Sequence, residues 1–121
     1  MNTTQIIRRI NQKKNIFFRL LNAMDAQIVI AMKLYEKNGL ELKITCCACP
    51  EQYEVFKDGK QVAYYRLRHG KFRVDYPYCR GETIYEAEPD GDGSFYDNER
   101  LFYLSKAMRQ VLLKLNNLSN T

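Results

Sequence analysis

The sequence predicts an α+β fold: an antiparallel meander of four to five strands, packed by an N-terminal helix (or two) and a C-terminal helix. Three observations predict it. Apolar residues recur at spacings of three, four or seven over residues 3–38 and again from Leu101 to Leu118. Between these stretches the apolar period drops to two, the signature of half-buried strands. The same middle stretch is punctuated by short glycine-bearing reversals at Asp58-Gly59, His69-Gly70 and Arg80-Gly81. That order of elements places the helices on one face of the sheet.

Ile6, Ile7, Ile10, Phe17, Leu21, Met24, Ile28, Ala31 and Tyr35 form the first apolar stripe. Thr3 or Thr4 can cap its start. The polar run Asn11–Asn15 weakens the stripe and Asp25 can cap a second helix, so the segment is one long helix or two, broken between about residues 11 and 25. Asn38-Gly39 is the stop: glycine accepts the left-handed position, and Leu40 supplies the accompanying apolar contact. Leu40, Leu42, Ile44 and Cys46 then alternate with Glu41, Lys43, Thr45 and Cys47, and Pro50 ends that strand or marks an edge. Strands over Tyr53–Lys57, Gln61–Arg68, Lys71–Tyr76 and Thr83–Glu88 follow, then a loop from Glu88 to Ser94. Asp97 or Asn98 caps the final helix.

The 121 residues suit a single domain, 1–121, able to bury a modest core. No run of 18 uncharged apolar residues occurs, which excludes a membrane-spanning helix. MNTTQIIRRINQKKN carries no apolar segment followed by a cleavage site, so the expected compartment is cytoplasmic. Cys46, Cys47, Cys49 and Cys79 are then expected as reduced thiols. Cys46 and Cys49 have a C-x-x-C spacing, but no second pair completes a zinc set, and buried structural thiols are the stronger reading. No metal and no cofactor is expected.

The net charge of +5 is unevenly spread. Lys57, Lys60, Arg66, Arg68, Lys71, Arg73 and Arg80 outnumber Asp58 and Asp75 in one block; Glu82, Glu86, Glu88, Asp90, Asp92, Asp97 and Glu99 form the next, with no cation among them. The first block favours an anionic partner, unless the second neutralises it in the fold.

Treating Asp58-Gly59 and His69-Gly70 as two-residue loops sets a register. Lys57 then opposes Lys60, Val55 opposes Val62 and Tyr53 opposes Tyr64; Arg68 opposes Lys71, Arg66 opposes Arg73 and Tyr64 opposes Asp75. Phe56, Ala63, Tyr65, Leu67, Phe72, Val74 and Tyr76 share the core face. Tyr53, Val55, Lys57, Lys60, Val62, Tyr64, Arg66, Arg68, Lys71, Arg73 and Asp75 share the other. Like charges directly opposed destabilise a sheet, so Arg66 facing Arg73 and Arg68 facing Lys71 ask for an anionic partner: the chain's own acidic block, a second subunit or a ligand. Arginine suits fork-like phosphate recognition, and tyrosine offers a stacking platform. The alternative is a solvated sheet face.

Enzyme chemistry is not indicated. His69 is the single histidine, in a turn, and neither a phosphate loop nor a nucleophile elbow is present. Asp90-x-Asp92-x-Ser94 begins like a calcium loop but has Phe95 at the sixth position and Leu101 at the twelfth. The two glycines of Gly91-Asp92-Gly93 permit close backbone approach, and the acids around them suit hydrogen-bond donors: an adenine amino group, a ribose hydroxyl, or a partner's arginines.

The run QYEVFKDGKQVAYYRLRHGKFRVDYP (52–77), then IYEAEPDGDGSF (84–95) and Glu99-Arg100, resembles the phage Thoeris anti-defence family of nucleotide sponges. The resemblance spans residues 51–104. It implies a homo-oligomer that binds a cyclic ADP-ribose-like or cyclic-nucleotide immune signal without cleaving it, gripping it with arginine and aromatic side chains. Carried onto the matching run, the ligand-binding residues are Tyr64, Arg66, Arg68, Arg73 and Arg100; Arg109 projects from the last helix as a further candidate. The Ile6–Tyr35 stripe is the expected oligomer contact. Two other readings stand beside this one. A nucleic-acid-binding module would use the same face, against the repulsion of the acidic block, and a protein-interaction module would leave the sheet merely structural.

Overall fold

The computed structural model describes residues 2–5, 23–47 and 50–119. Its elements are α1 (Ala23–Lys37), β1 (Glu41–Cys47), β2 (Glu51–Lys57), β3 (Lys60–Arg68), β4 (Lys71–Tyr76), β5 (Glu82–Ala87) and α2 (Arg100–Ser119). The strands form one antiparallel sheet in chain order. The helices pack on one face of it, α1 over β1, α2 over β5, and each against the other. This is the α+β meander expected. Ile6, Ile7, Ile10, Phe17 and Leu21 of the apolar stripe, and Cys49, lie outside the described residues, as does most of the window in which a helix break is expected.

Residues 3–5 form a helical turn, capped one residue earlier than expected. The Asn2 side chain accepts from the Gln5 amide at 2.8 Å, and the Gln5 side chain accepts from the Asn2 amide at 3.1 Å. That reciprocal pair satisfies two amides at once, which Thr3 or Thr4 does not. In α1, Ile28, Ala31 and Tyr35 are the buried stripe. The helix ends as predicted. Gly39 has φ 77°, its amide donates to Glu36 at 3.1 Å, and the Leu40 amide donates to Tyr35 at 2.9 Å. These two bonds satisfy carbonyls the helix would otherwise leave orphaned, and Leu40 is buried beside them.

Both hairpin turns have positive φ at each central residue: 52° and 81° at Asp58-Gly59, 54° and 72° at His69-Gly70. That backbone twist matches the flanking strands. The second hairpin keeps the predicted register: Arg68 opposes Lys71, Arg66 opposes Arg73, and Tyr64 opposes Asp75. The first does not. Lys57 opposes Lys60, but the register shifts between Val55 and Phe56, so Val55 faces Ala63 and Tyr53 faces Tyr65. Val62 is the extra residue of a bulge. One inserted residue exchanges the faces of β2. Tyr53 and Val55 therefore join the core, and Phe56, expected inside, lies half-buried on the outer face under the Lys43 ammonium at 4.8 Å.

The core is built around aromatic rings. Phe72 meets Tyr65 and Phe95 edge-on, with centroids at 5.7 and 4.9 Å. The Tyr35 hydroxyl donates to the Leu104 carbonyl at 2.6 Å and lies 2.7 Å from the Tyr65 hydroxyl, so the two phenols are satisfied in the interior and tie α1 to α2 and the sheet. Burial pushes the Tyr35 phenol well above its ordinary value of 10.0, helped by Tyr65. Burial likewise raises Tyr65, and burial together with Glu51 raises Tyr53. A folded-state pKa raised above the unfolded one gives stability that is complete below about pH 10 and lost as pH rises beyond it. The melting temperature should therefore hold level from pH 7 to 9 and fall steeply above about pH 10, as read by circular dichroism. A level profile to pH 11 would contradict this arrangement of phenols.

Among the described residues, no helix is long and apolar enough to cross a membrane.

Candidate anion-binding cleft

Four pieces of chain meet at one end of the sheet. They are the start of β2 (Pro50, Gln52), the end of β3 (Arg66, Arg68), the turn residue His69, and the loop residues Asp92 and Gly93. Together they line a cleft of about 460 Å³.

The loop forms one wall because two carboxylates hold it. Glu99 accepts from the amides of Asp90 and Gly91, both at 2.8 Å, and of Tyr96 at 3.0 Å. Burial alone would raise the Glu99 carboxyl; those amides and the Arg100 guanidinium outweigh it and hold the group below its ordinary value. Glu51, almost wholly buried, accepts from Ser94 Oγ at 3.0 Å and from the Phe95 amide at 3.1 Å. Its own amide donates to the Gly93 carbonyl at 2.8 Å, and the Gly70 amide donates to the Asp92 carbonyl at 2.9 Å. Glycine is required at Gly91, where a Cβ would meet the Ser94 carbonyl oxygen at 1.9 Å.

Arg66 and Arg68 occupy alternate positions of β3 and project from the outer face, roughly 7 Å apart along the strand. Among the described residues neither side chain makes an ion pair or a hydrogen bond. Three carboxylates of the acidic block are committed elsewhere. Glu82 pairs with Lys114 at 3.0 Å, Asp97 with Arg100 at 2.8 Å, and Glu99 is committed to the loop amides. Asp92 is the single carboxylate among the described residues lining the cleft.

Tyr64, Arg66, Arg68 and Arg73 share the outer face, as the alternation predicts. Tyr64 is half-buried and outside the cleft lining; burial and the neighbouring Cys79 raise its phenol while Arg66 and Arg73 pull it down. Tyr64 and Arg66 lie two residues apart on the same strand face and Arg73 is the cross-strand partner of Arg66, so the three form one patch. Arg73 sits beside the cleft rather than in it. It faces Glu86 across the strand pair, and its Nε lies 3.2 Å from Asp75 Oδ1. That nitrogen is buried without a completed hydrogen bond. Asp75 has other partners: it accepts from the Arg80 amide at 3.0 Å and Thr83 Oγ1 at 2.9 Å.

The other two candidates lie elsewhere. Arg100 is 1% exposed. Its guanidinium donates to Glu51 at 2.9 and 3.1 Å, to Gln27 at 2.7 Å, to Asp97 at 2.8 Å and to the Phe95 carbonyl at 2.7 Å. The Tyr53 hydroxyl closes the network on Glu51. Arg100 thus holds the cleft wall from below. It also takes the Asp97 side chain, expected as a helix cap, and α2 begins at Arg100 itself. Arg109 lies on α2, across the sheet from the cleft, between two grooves lined with Leu112 and Leu113 on one side and Phe102 and Lys106 on the other.

Sequence reasoning missed Pro50, Gln52 and His69 as lining. The signal for Gln52 was masked by the bulge, which alone brings it opposite Arg66. The described cysteines are not the buried structural thiols expected: Cys46 lies half-buried on β1, while Cys47 at the strand end and Cys79 in a turn are exposed. Among the described residues no group of three histidine, cysteine or acidic side chains converges as for a metal ion. No family model, curated protein or solved structure matches this chain.

Proposed function

We propose that the protein binds and sequesters a phosphorylated nucleotide, a cyclic ADP-ribose-like or cyclic-nucleotide signal, and releases it unchanged. One observation carries the reading: Arg66 and Arg68 line a cleft of about 460 Å³ with no ion pair among the described residues, while Glu82, Asp97 and Glu99 are engaged elsewhere and Asp92 alone adds a carboxylate to the lining. Two guanidinium forks beside one another suit phosphate oxygens. Tyr64, on the same face, offers an aromatic ring. The cleft supplies charge and donors rather than a reaction. His69 has no hydrogen-bonded carboxylate among the described residues to orient its ring, which favours binding over acid–base work. An anti-defence role in a host cytoplasm follows from the resemblance over residues 51–104. Self-association through the N-terminal helical segment belongs to the same proposal, and Ile30 and Met32 exposed on α1 suit such a contact.

The test is recovery of ligand. Protein purified from cells making cyclic ADP-ribose-type or cyclic-nucleotide signals should release an intact nucleotide on heating, read by mass spectrometry. Calorimetry of the stripped protein should show rebinding. Release of a cleaved product would point to an enzyme. A shift of long DNA or RNA that collapses with salt, with no small nucleotide bound, would favour the nucleic-acid reading.

A further inference from the structure

We infer that Asp92 reads the sugar of the bound nucleotide, so that the cleft selects ribonucleotides over their deoxy counterparts. The inference rests on the anion-binding reading above and adds a specificity to it. A carboxylate inside a cationic cleft weakens phosphate binding, and its presence there calls for a donor on the ligand. The backbone offers little competition for that donor. The carbonyls of Asp92 and Gly93 are occupied by the Gly70 and Glu51 amides. The Asp92 side chain is exposed and has no hydrogen bond or ion pair among the described residues.

Connectivity decides which donor it meets. Asp92, Arg66, Arg68 and His69 line the same cleft of about 460 Å³. With phosphate on the two arginines, the group that reaches Asp92 is the one bonded directly to phosphate. In a nucleotide that group is the sugar, and its free hydroxyls are donors to a carboxylate: the vicinal pair of an ADP-ribose-type ligand, or the single 2′-hydroxyl of a 3′,5′-cyclic nucleotide. The base lies one group further along.

The experiment compares ADP, 2′,3′-dideoxy-ADP and inorganic pyrophosphate by calorimetry, on the full chain and on Asp92→Ala. The structural bond at this position comes from the main chain, so the variant should melt like the parent. The parent is expected to bind ADP about 10–100-fold more tightly than the dideoxy compound, the scale of a hydrogen bond to a charged group. Asp92→Ala should bind the two equally and should bind pyrophosphate at least as well as the parent. Equal binding of both nucleotides by the parent, or a preference that survives in Asp92→Ala, overturns the inference. Pyrophosphate binding without nucleotide binding overturns it too and leaves the phosphate site standing. Absence of binding by all three probes overturns this inference, and the cleft reading is then decided by the recovery of a cyclic ligand described above.

Discussion

Arg100→Leu should destabilise the protein by about 3–5 kcal/mol, the range found when one partner of a buried ion pair is removed. For a domain of this size that corresponds to a fall in melting temperature on the order of 10–20 °C. The cost has an identifiable source. Glu51 is 1% exposed, and Arg100 supplies two of its charge-assisted bonds, at 2.9 and 3.1 Å. Without the guanidinium, Glu51 keeps Tyr53, Ser94 and the Phe95 amide but loses its counter-charge. A carboxylate in that position must either stay ionised without compensation or take up a proton. The Phe95 carbonyl and Gln27 lose a partner as well. Glu51→Gln combined with Arg100→Leu should recover part of the loss, because the double variant leaves no unpaired charge. Urea denaturation followed by circular dichroism checks both. A single-variant loss under 1 kcal/mol, or strict additivity in the double, would show that the pair is not the anchor the geometry describes.

That anchor was the least legible part of the chain. Arg100 follows Glu99 at the head of an amphipathic helix, a place where an exposed cation is the ordinary expectation. Its true partner is Glu51, on the first residue of β2, and no local pattern joins positions so far apart. Elements defined by short-range rules were readable. Gly39 closes α1, Asp58-Gly59 and His69-Gly70 set the hairpins, and α2 shows its buried stripe at helical spacing. The bulge at Val62 was not readable, because Val62 and Ala63 are both apolar and either can take the inward position. One residue of register then moved Tyr53 and Val55 into the core and placed Gln52 beside Arg66. The arginine ladder escaped that error. The His69-Gly70 turn governs it, and no bulge interrupts β3 and β4 between Tyr64 and Arg68. Half of the cleft was therefore visible as a two-residue alternation. The other half, the loop wall, depends on Glu51 and Glu99 reaching across the fold, and only tertiary structure brings them there.

Replacing Arg66 and Arg68 together by alanine should lower nucleotide affinity at least 100-fold and leave the melting temperature within a few degrees of the parent. The two effects separate because the side chains do different things in the free and bound states. In the free protein neither guanidinium holds an ion pair among the described residues, and Arg66 directly faces Arg73, so their removal relieves repulsion as well as losing some packing. In the complex each would give charge-assisted bonds to phosphate, worth roughly 1.5–3 kcal/mol apiece, and two such losses amount to more than two orders of magnitude. Arg73→Ala is the discriminating companion. Its guanidinium lies against Asp75 and outside the cleft lining, so its removal should cost under tenfold in affinity. If the Arg73 variant loses as much as the double variant, the ligand lies across the middle of the sheet rather than at its end. If the double variant binds as the parent does, phosphate is not held by this strand, and the unneutralised charge on β3 is solvated surface.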